Sequence, residues 1–364
     1  MKGNGPASQD EARPATIKTI AENLGLTANT VSRALRGMGY VSPTTHERVH
    51  AEAQRLGYVP NAAARALVLG SANNLGLVIT NPSNPIYSEL ISAVERRSRQ
   101  HGYTLNLSVT EESTRNEELA VDAMLRWRVN GVIVVPAQGA DDPWERLLAG
   151  GIPLVCVNRP LLGIPSDVFG VDYEQGAYDA ASHMLDRGYW PLQVFEEDLD
   201  ITTVHSRIAG IRRAFEDRGK EFREDDLVRV ESPRENDSTL PWEPQSAYEW
   251  AQLRLRSLPR GAGVIAGNDF LALGVYRAAS EYGLHVPEDL GICGQGDHPF
   301  SAFLDPGLTT VRAPVHDIGV AAVDRIVERI RRDATQLEPV HRPFPAELVV
   351  RGSTLPNRSG EAAD

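Results

Sequence analysis

Residues 28–33 read ANTVSR, and three of them could read a nucleic acid. Asn29 carries an amide able to bond N6 and N7 of adenine together. Arg33 carries a planar fork that suits O6 and N7 of guanine, and the small Ala28 can touch a thymine methyl. On a helix Arg33 stands one turn on from Asn29, so both project from one face with Ala28 in the first turn. Around them Thr16, Thr27, Thr30 and Ser32 offer hydroxyls suited to phosphate oxygens. Their helix N-termini add a partial positive charge that favours anions.

Two short helices must hold that set. Ile17, Ile20, Ala21 and Leu24 recur at i, i+3, i+4, i+7, one face of a first helix that Gly25 ends. Thr27 caps a second, with Val31, Ala34 and Leu35 inward and Ala28, Asn29, Ser32, Arg33 and Arg36 outward. Ser42-Pro43 opens a third, with Val49, Ala53 and Leu56 on one face and Gly57 at its end. Three such helices with a tight Gly25-Leu26-Thr27 turn form a helix-turn-helix bundle, in which the second helix enters the major groove by its N-terminal residues. A plain helical bundle with a solvated polar face has the same periodicity. The next segment, GYVPNAAARALVLG, carries a break at Pro60, a cap at Asn61 and two turns over 62–69. A helix that short is marginal alone in water and needs a partner. Leu67 would then be an apolar side chain with nothing of its own domain to cover it.

The bulk composition bounds the rest. A chain of 364 residues suits two or three domains, and 41% hydrophobic with 24% charged residues is soluble-globular composition. No apolar run is long enough to span a membrane. The opening MKGNGPASQDEARPA has no apolar core of a signal peptide, so residues 1–15 are expected to be a disordered tail in a cytoplasmic protein, and residues 355–364 a second tail. The net charge of −12 divides into +3 over residues 1–70 and −15 over the remainder. A weakly basic head on an acidic body points to a polyanion met by the head alone. Cys156 and Cys293 lie far apart inside apolar runs and read as buried free thiols.

From Leu75 onward, LGLVIT, YTLNLSV, GVIVVP, PLVCVN, QVF, DLVRV, GVIAGND, LGICGQG and TTVRAP alternate with helical patterns. Continuous apolar strands with intervening helices indicate an α/β body of doubly wound parallel sheets, which bind ligands beyond the carboxyl ends of their strands. Two sheets fit this length, giving two lobes and a cleft. The phosphate-loop, zinc-protease, Cys-x-x-Cys and nucleophile-elbow motifs are all missing, and the histidines show no metal spacing. An enzyme, a cofactor and a metal are therefore not expected.

TIKTIAENLGLTANTVSRAL, YVSPTTHERV and LGYVPNAAARAL follow one another at the spacing of the lactose-repressor (LacI/GalR) family of bacterial transcription regulators, which the chain resembles over roughly residues 16–354. Further landmarks are NPSNPIYSEL, GVDYEQGAYDAASHML, HSRIAGIRRAF, GNDFLALGVYRAASEYGLHVPEDLGICG, LDPGLTTVRAP and ELVVRGST. The resemblance implies a helix-turn-helix DNA-binding domain over 16–60, a hinge helix and linker over 61–73, and a two-lobed, periplasmic-binding-protein-like effector and dimerisation core over 74–354. By position, Ala28, Asn29 and Arg33 fall on base-reading sites. Asn61 and Ala64 fall on hinge sites that touch the groove or backbone, and Leu67 on the leucine that wedges into a base step. In the core, Asn84, Pro85, Tyr87, Asn158, Arg207, Trp242, Asn268 and Asp297 fall on effector positions. Their amides, guanidinium and indole suit a sugar or similar polyol.

Local readings compete at some of these positions. Arg207 could pair with the acidic run Glu196-Glu197-Asp198, Asp269 reads as the cap of the helix that follows it, and Trp242 could plug a surface crevice. The chain also departs from the family pattern. Gly296 stands where a ligand-binding Asp is usual, VFEEDLDITT replaces a glycine-ended strand, and Trp190-Pro191 replaces a basic pair.

The resemblance implies a repressor that binds a pseudo-palindromic operator in double-stranded DNA as a homodimer. A small molecule, a carbohydrate by preference, would control it from the cleft. A non-sugar or lost effector is the alternative; a sugar-binding protein or sugar-modifying enzyme would need an export signal or a catalytic constellation. The last residues show no heptads, so no tetramer-forming helix is expected.

Overall fold

The computed structural model describes residues 15–37, 39, 41–58, 73–139, 141–231, 234–235, 238–239, 244–332 and 337–354. The chain divides into two units, Met1–Ala72 and Asn73–Asp364. In the first, helix α1 (Ile17–Leu24) begins at Thr16, whose hydroxyl accepts from Thr19 N in a capping box, and stops at Gly25 with φ of 65°. Left-handed backbone there is open to glycine at little cost, which is why the turn falls at that residue. Helix α2 (Ala28–Arg36) begins at Thr27, which accepts from Thr30 N, and α3 (Pro43–Arg55) begins at Ser42 with proline in its first turn. Ile20, Ala21, Val31, Ala34, Val49 and Ala53 make the buried centre, and Leu24, Leu26, Leu35, Val41, Leu56 and Tyr58 pack around it.

The second unit holds two six-stranded sheets. In the first lobe β1 (Asn74–Ile79), β2 (Thr104–Val109), β3 (Gly131–Val134), β4 (Leu154–Val157) and β5 (Asp167–Val171) are joined by β13 (His341–Phe344), in the order β13-β5-β4-β3-β1-β2. Every pairing is parallel. Helices α4 (Pro85–Gln100) and α11 (Val315–Arg331) cover one face through Leu90, Val94, Ile318 and Ile326. Helices α5 (Thr114–Trp127) and α6 (Asp142–Ala149) cover the other through Val121, Met124, Trp144 and Leu147. Burial on both faces explains why GVIV and LVCV are apolar throughout rather than alternating. A Cβ added to Gly319 would lie 2.8 Å from that of Ala93, so α11 and α4 pack closely because that position is bare.

The second lobe orders its strands β14-β12-β11-β10-β6-β7: β6 (Leu192–Glu197), β7 (Leu227–Val230), β10 (Ala262–Ala266), β11 (Leu290–Gln295), β12 (Thr309–Arg312) and β14 (Glu347–Val349). A two-residue pair, β8 (Arg234–Glu235) and β9 (Ser238–Thr239), stands apart. Helices α7 (Tyr173–Asp186) and α8 (Thr202–Glu216) cover one face, and α9 (Gln245–Arg254) and α10 (Asp269–Glu281) the other.

The doubly wound α/β reading thus holds, with one correction. Strand β14 runs antiparallel to β12, so the second sheet is not wholly parallel. Strands β5, β13 and β14 were also absent from the runs read as strands. Pro343 sits inside β13, where an edge strand tolerates it. The chain crosses between lobes after β5, before α11 and through Pro345-Ala346, which leaves the carboxyl ends of both sheets facing one cleft. Cys156 and Cys293 are buried and free, and burial pushes the Cys156 thiol up to about 12. Among the described residues no helix is long and apolar enough to cross a membrane, and no cluster of His, Cys, Asp or Glu could hold a metal ion.

Candidate functional site

In the head, Ala28, Asn29 and Arg33 are exposed, and Thr30 and Ser32 are half-buried. The inward residues of α2 are taken up by the small core, so its first two turns present the polar set outward. Thr16 and Thr27 are exposed, but their hydroxyls already accept backbone bonds at 3.2 and 3.1 Å. Arg33 lies back against Gly39: a Cβ there would meet the guanidinium at 2.1 Å. Asn61, Ala64, Leu67 and Trp242 lie outside the described residues.

In the core, a cleft of about 80 Å³ lies between the carboxyl ends of the two sheets. It brings together Asn84, Tyr87, Asn158, Arg207 and Asn268 from the residues read in the sequence. Each amide has one end engaged. Asn84 Oδ1 accepts from Ile86 N and caps α4, Asn268 Oδ1 accepts from Leu271 N and caps α10, and Asn158 Oδ1 accepts from Val171 N. The cap of α10 is therefore Asn268 and not Asp269. Asp269 is fully buried and accepts from His298 N, Ser301 Oγ and Thr310 Oγ1 at 2.6–2.9 Å. Pro85 occupies the first turn of α4 and does not line the cleft. Asp297 does not line it either; its carboxylate meets Arg312 at 2.7 Å and Arg351 at 2.6 Å.

Arg207 pairs within the chain. Its Nε and Nη2 donate to both oxygens of Glu196 at 2.8 and 2.6 Å, and Glu197 lies 3.6 Å from Nη2. A second buried fork was not read from the sequence. Arg159 donates to both oxygens of Glu112 at 2.7 and 2.9 Å and to the Pro136 carbonyl at 3.0 Å. Glu112, Arg159, Tyr173, Glu197 and Gln295 all line the cleft and were all missed. The one available signal was VFEED, whose two glutamates end a buried strand and so enter the site at its carboxyl end.

The electrostatics follow from burial. Loss of water around Glu197 raises its carboxyl to about 7, with Arg207 opposing and Glu196 and Glu112 adding to the rise. The Tyr173 phenol is pushed up to about 12 for the same reason. Across the cleft mouth, Gln138 of the first lobe accepts from Thr202 N at 2.8 Å and Thr202 Oγ1 at 3.0 Å, capping α8 from the opposite lobe.

The head and core both match known proteins. Residues 16–61 match the model of bacterial regulatory proteins of the lacI family, and residues 181–354 that of a periplasmic binding protein-like domain. The HTH-type transcriptional repressor PurR of Actinobacillus pleuropneumoniae serotype 3 (strain JL03) is 31% identical over 341 residues, which cover 93% of this chain and 98% of that repressor. The chain belongs to the lacI family. It is a DNA-binding transcription regulator with a periplasmic-binding-protein-like core.

Solved structures share the lacI-family fold. The lac repressor dimer bound to operator and the anti-inducer ONPF superposes with a TM-score of 0.82 at 24% identity, over 94% of this chain and 100% of that one. A lacI-family regulator from Enterococcus faecium with bound ribose gives a TM-score of 0.67 at 25% identity, over 78% and 99%.

Two departures from the family pattern have structural reasons in this lacI-family chain. A Cβ at Gly296 would lie 2.8 Å from the His298 ring, so His298 excludes a side chain at that position. Gly267 faces Glu196, where a Cβ would meet a carboxylate oxygen at 2.2 Å, so the glutamate that ends β6 is accommodated beside a bare position.

Proposed function

We propose that the chain is a homodimeric repressor acting in the cytoplasm, with no catalytic activity. Residues 16–60 of each subunit read one half-site of a pseudo-palindromic operator. Asn29, Arg33 and Ala28 face base edges; Thr16, Thr27, Thr30 and Ser32 stand at phosphates. Residues 61–73 serve as the hinge, with Asn61 and Ala64 at the groove and Leu67 as a wedge. Residues 74–354 join the subunits and take the effector, a sugar or polyol. Asn84, Tyr87, Asn158, Arg207 and Asn268 surround it, and the amide ends not used as caps face its hydroxyls.

The observation that carries this reading is the exposed Ala28, Asn29 and Arg33 set on a short helix capped at both ends. Support for the dimer and the sugar comes from what the lac repressor and the Enterococcus faecium regulator hold. An effector acts by binding one lobe arrangement better than the other, and a coupling of about 1–3 kcal/mol would be ordinary. The test is recovery of genomic fragments by the purified full-length protein, with its mass measured in solution. Selective enrichment of short inverted repeats by a two-chain species is expected. Equal retention of all fragments at low salt, or a strictly single-chain species, overturns the proposal.

A further inference from the structure

The cleft's charges do not balance, and the imbalance selects a ligand. Glu112, Glu196 and Glu197 supply three carboxylates against the two guanidiniums of Arg159 and Arg207. Both guanidiniums are held in two-point contacts, by Glu112 and Glu196. Glu197 is more than nine-tenths buried and lines the cleft, yet among the described residues no hydrogen bond reaches its carboxylate. Its one charged contact is the 3.6 Å approach of Arg207, whose fork is already occupied. A carboxylate left in this state holds a proton more readily than one in water, and its ionised form lacks a partner until a cation arrives. Gln295 adds an unmet group: its buried Nε2, on the same wall, has no partner among the described residues.

The sites an anion would use are partly taken. At each helix end that meets the cleft one first-turn amide is already bonded, to Asn84, Asp172, Gln138 or Asn268. A phosphate or carboxylate would compete with those bonds and with the buried glutamates, and to reach a guanidinium it would have to break an arginine fork. We propose that the effector is a sugar or polyol bearing a protonated amine, the ammonium bonded to Glu197 and the hydroxyls to the cleft amides. This rests on the small-molecule reading above and names the class of ligand within it.

The burial that raises Glu197 supports the assignment, because a cation beside it would restore its ionised form. The groups facing it are Glu196 on its own strand, Arg207 and Tyr173 from α8 and α7, and Glu112, Arg159 and Tyr87 from the first lobe. None of these offers it a free cation.

The experiment is calorimetric titration of the full-length protein at neutral pH with glucosamine, glucose and glucuronate, and with the corresponding galactose series. The amino sugar is expected to bind at least about tenfold more tightly than its neutral and acidic counterparts. Glu197→Gln should shrink that preference to within roughly threefold, and Glu197→Asp, which keeps the charge, should retain most of it. Equal or tighter binding of a neutral or acidic sugar overturns the amine and leaves the sugar reading standing. Binding of no sugar in the panel overturns both. An amino-sugar preference undiminished in a folded Glu197→Gln variant overturns the role of that residue.

Discussion

The head and the cleft treat their polar side chains in opposite ways. On α2, Ala28, Asn29 and Arg33 stand in water, held by a small apolar core beneath them. In the cleft, Arg159 and Arg207 are buried and locked to glutamates of the same chain. The difference follows from desolvation. An exposed polar group stays solvated until something docks on it, and it loses little while waiting. A group sealed between two lobes must find its counter-charge within the fold, or the fold is destabilised. Interaction surfaces can therefore be open and unpartnered, whereas buried sites carry their own balance, and any residue of charge is informative.

Breaking a buried fork should give the largest effect. Arg207→Ala leaves Glu196 and Glu197 without their cation and should lower core stability by about 3–5 kcal/mol in urea unfolding. Replacing the pair together, as Glu196→Gln with Arg207→Met, should recover most of that loss.

Acidity should separate the two regions next. Glu117 and Glu197 are both raised to about 7 by burial, so the folded core holds protons that the unfolded chain has released. Core stability should then fall as pH rises from about 4.5 to about 7, by on the order of 3 kcal/mol for each group. Glu117→Gln should flatten its share of that slope in unfolding measured across the range. In the head, hydrogen bonds from Arg55 and Asn23 hold Glu52 down at about 2. Its contribution is complete above about 4.5 and lost as pH falls toward 2, so the head's slope has the opposite sign.

Smaller effects belong to the exposed face. Arg33→Ala should cost about 1–3 kcal/mol of base discrimination at one position of each half-site, read by competition between operator variants. Unchanged discrimination would remove Arg33 from the reading set. Thr27→Ala removes the bond to Thr30 N and should lower head stability by about 1 kcal/mol in thermal unfolding.

What the residues determined alone was whatever depends on near neighbours. The end of α1 and the start of α2 were legible because Gly25 and Thr27 act on backbone within a few positions of themselves; the cap at Thr16 was equally local but was read as a phosphate contact. The buried strands were legible because sheets covered on both faces need apolar runs. Strand β5 was not, because DVFGV is short and carries a buried Asp167 that Arg325 and Arg329 satisfy from α11. The cap of α10 was read as Asp269 and is Asn268, because Asp269 is claimed by Ser301, His298 and Thr310 arriving from elsewhere.

Only the tertiary structure decided the cleft. Glu112 and Arg159 are 47 residues apart and meet because the loops after β2 and β4 both leave the carboxyl end of one parallel sheet. Arg207 had three acidic neighbours to choose from, and the packing of α8 on β6 selected Glu196 and left Glu197 lining the cleft. Periodicity sets which side of an element is buried, but the partner of a buried charge depends on which strand ends the fold brings together. That is a property of long-range packing, which no local pattern encodes.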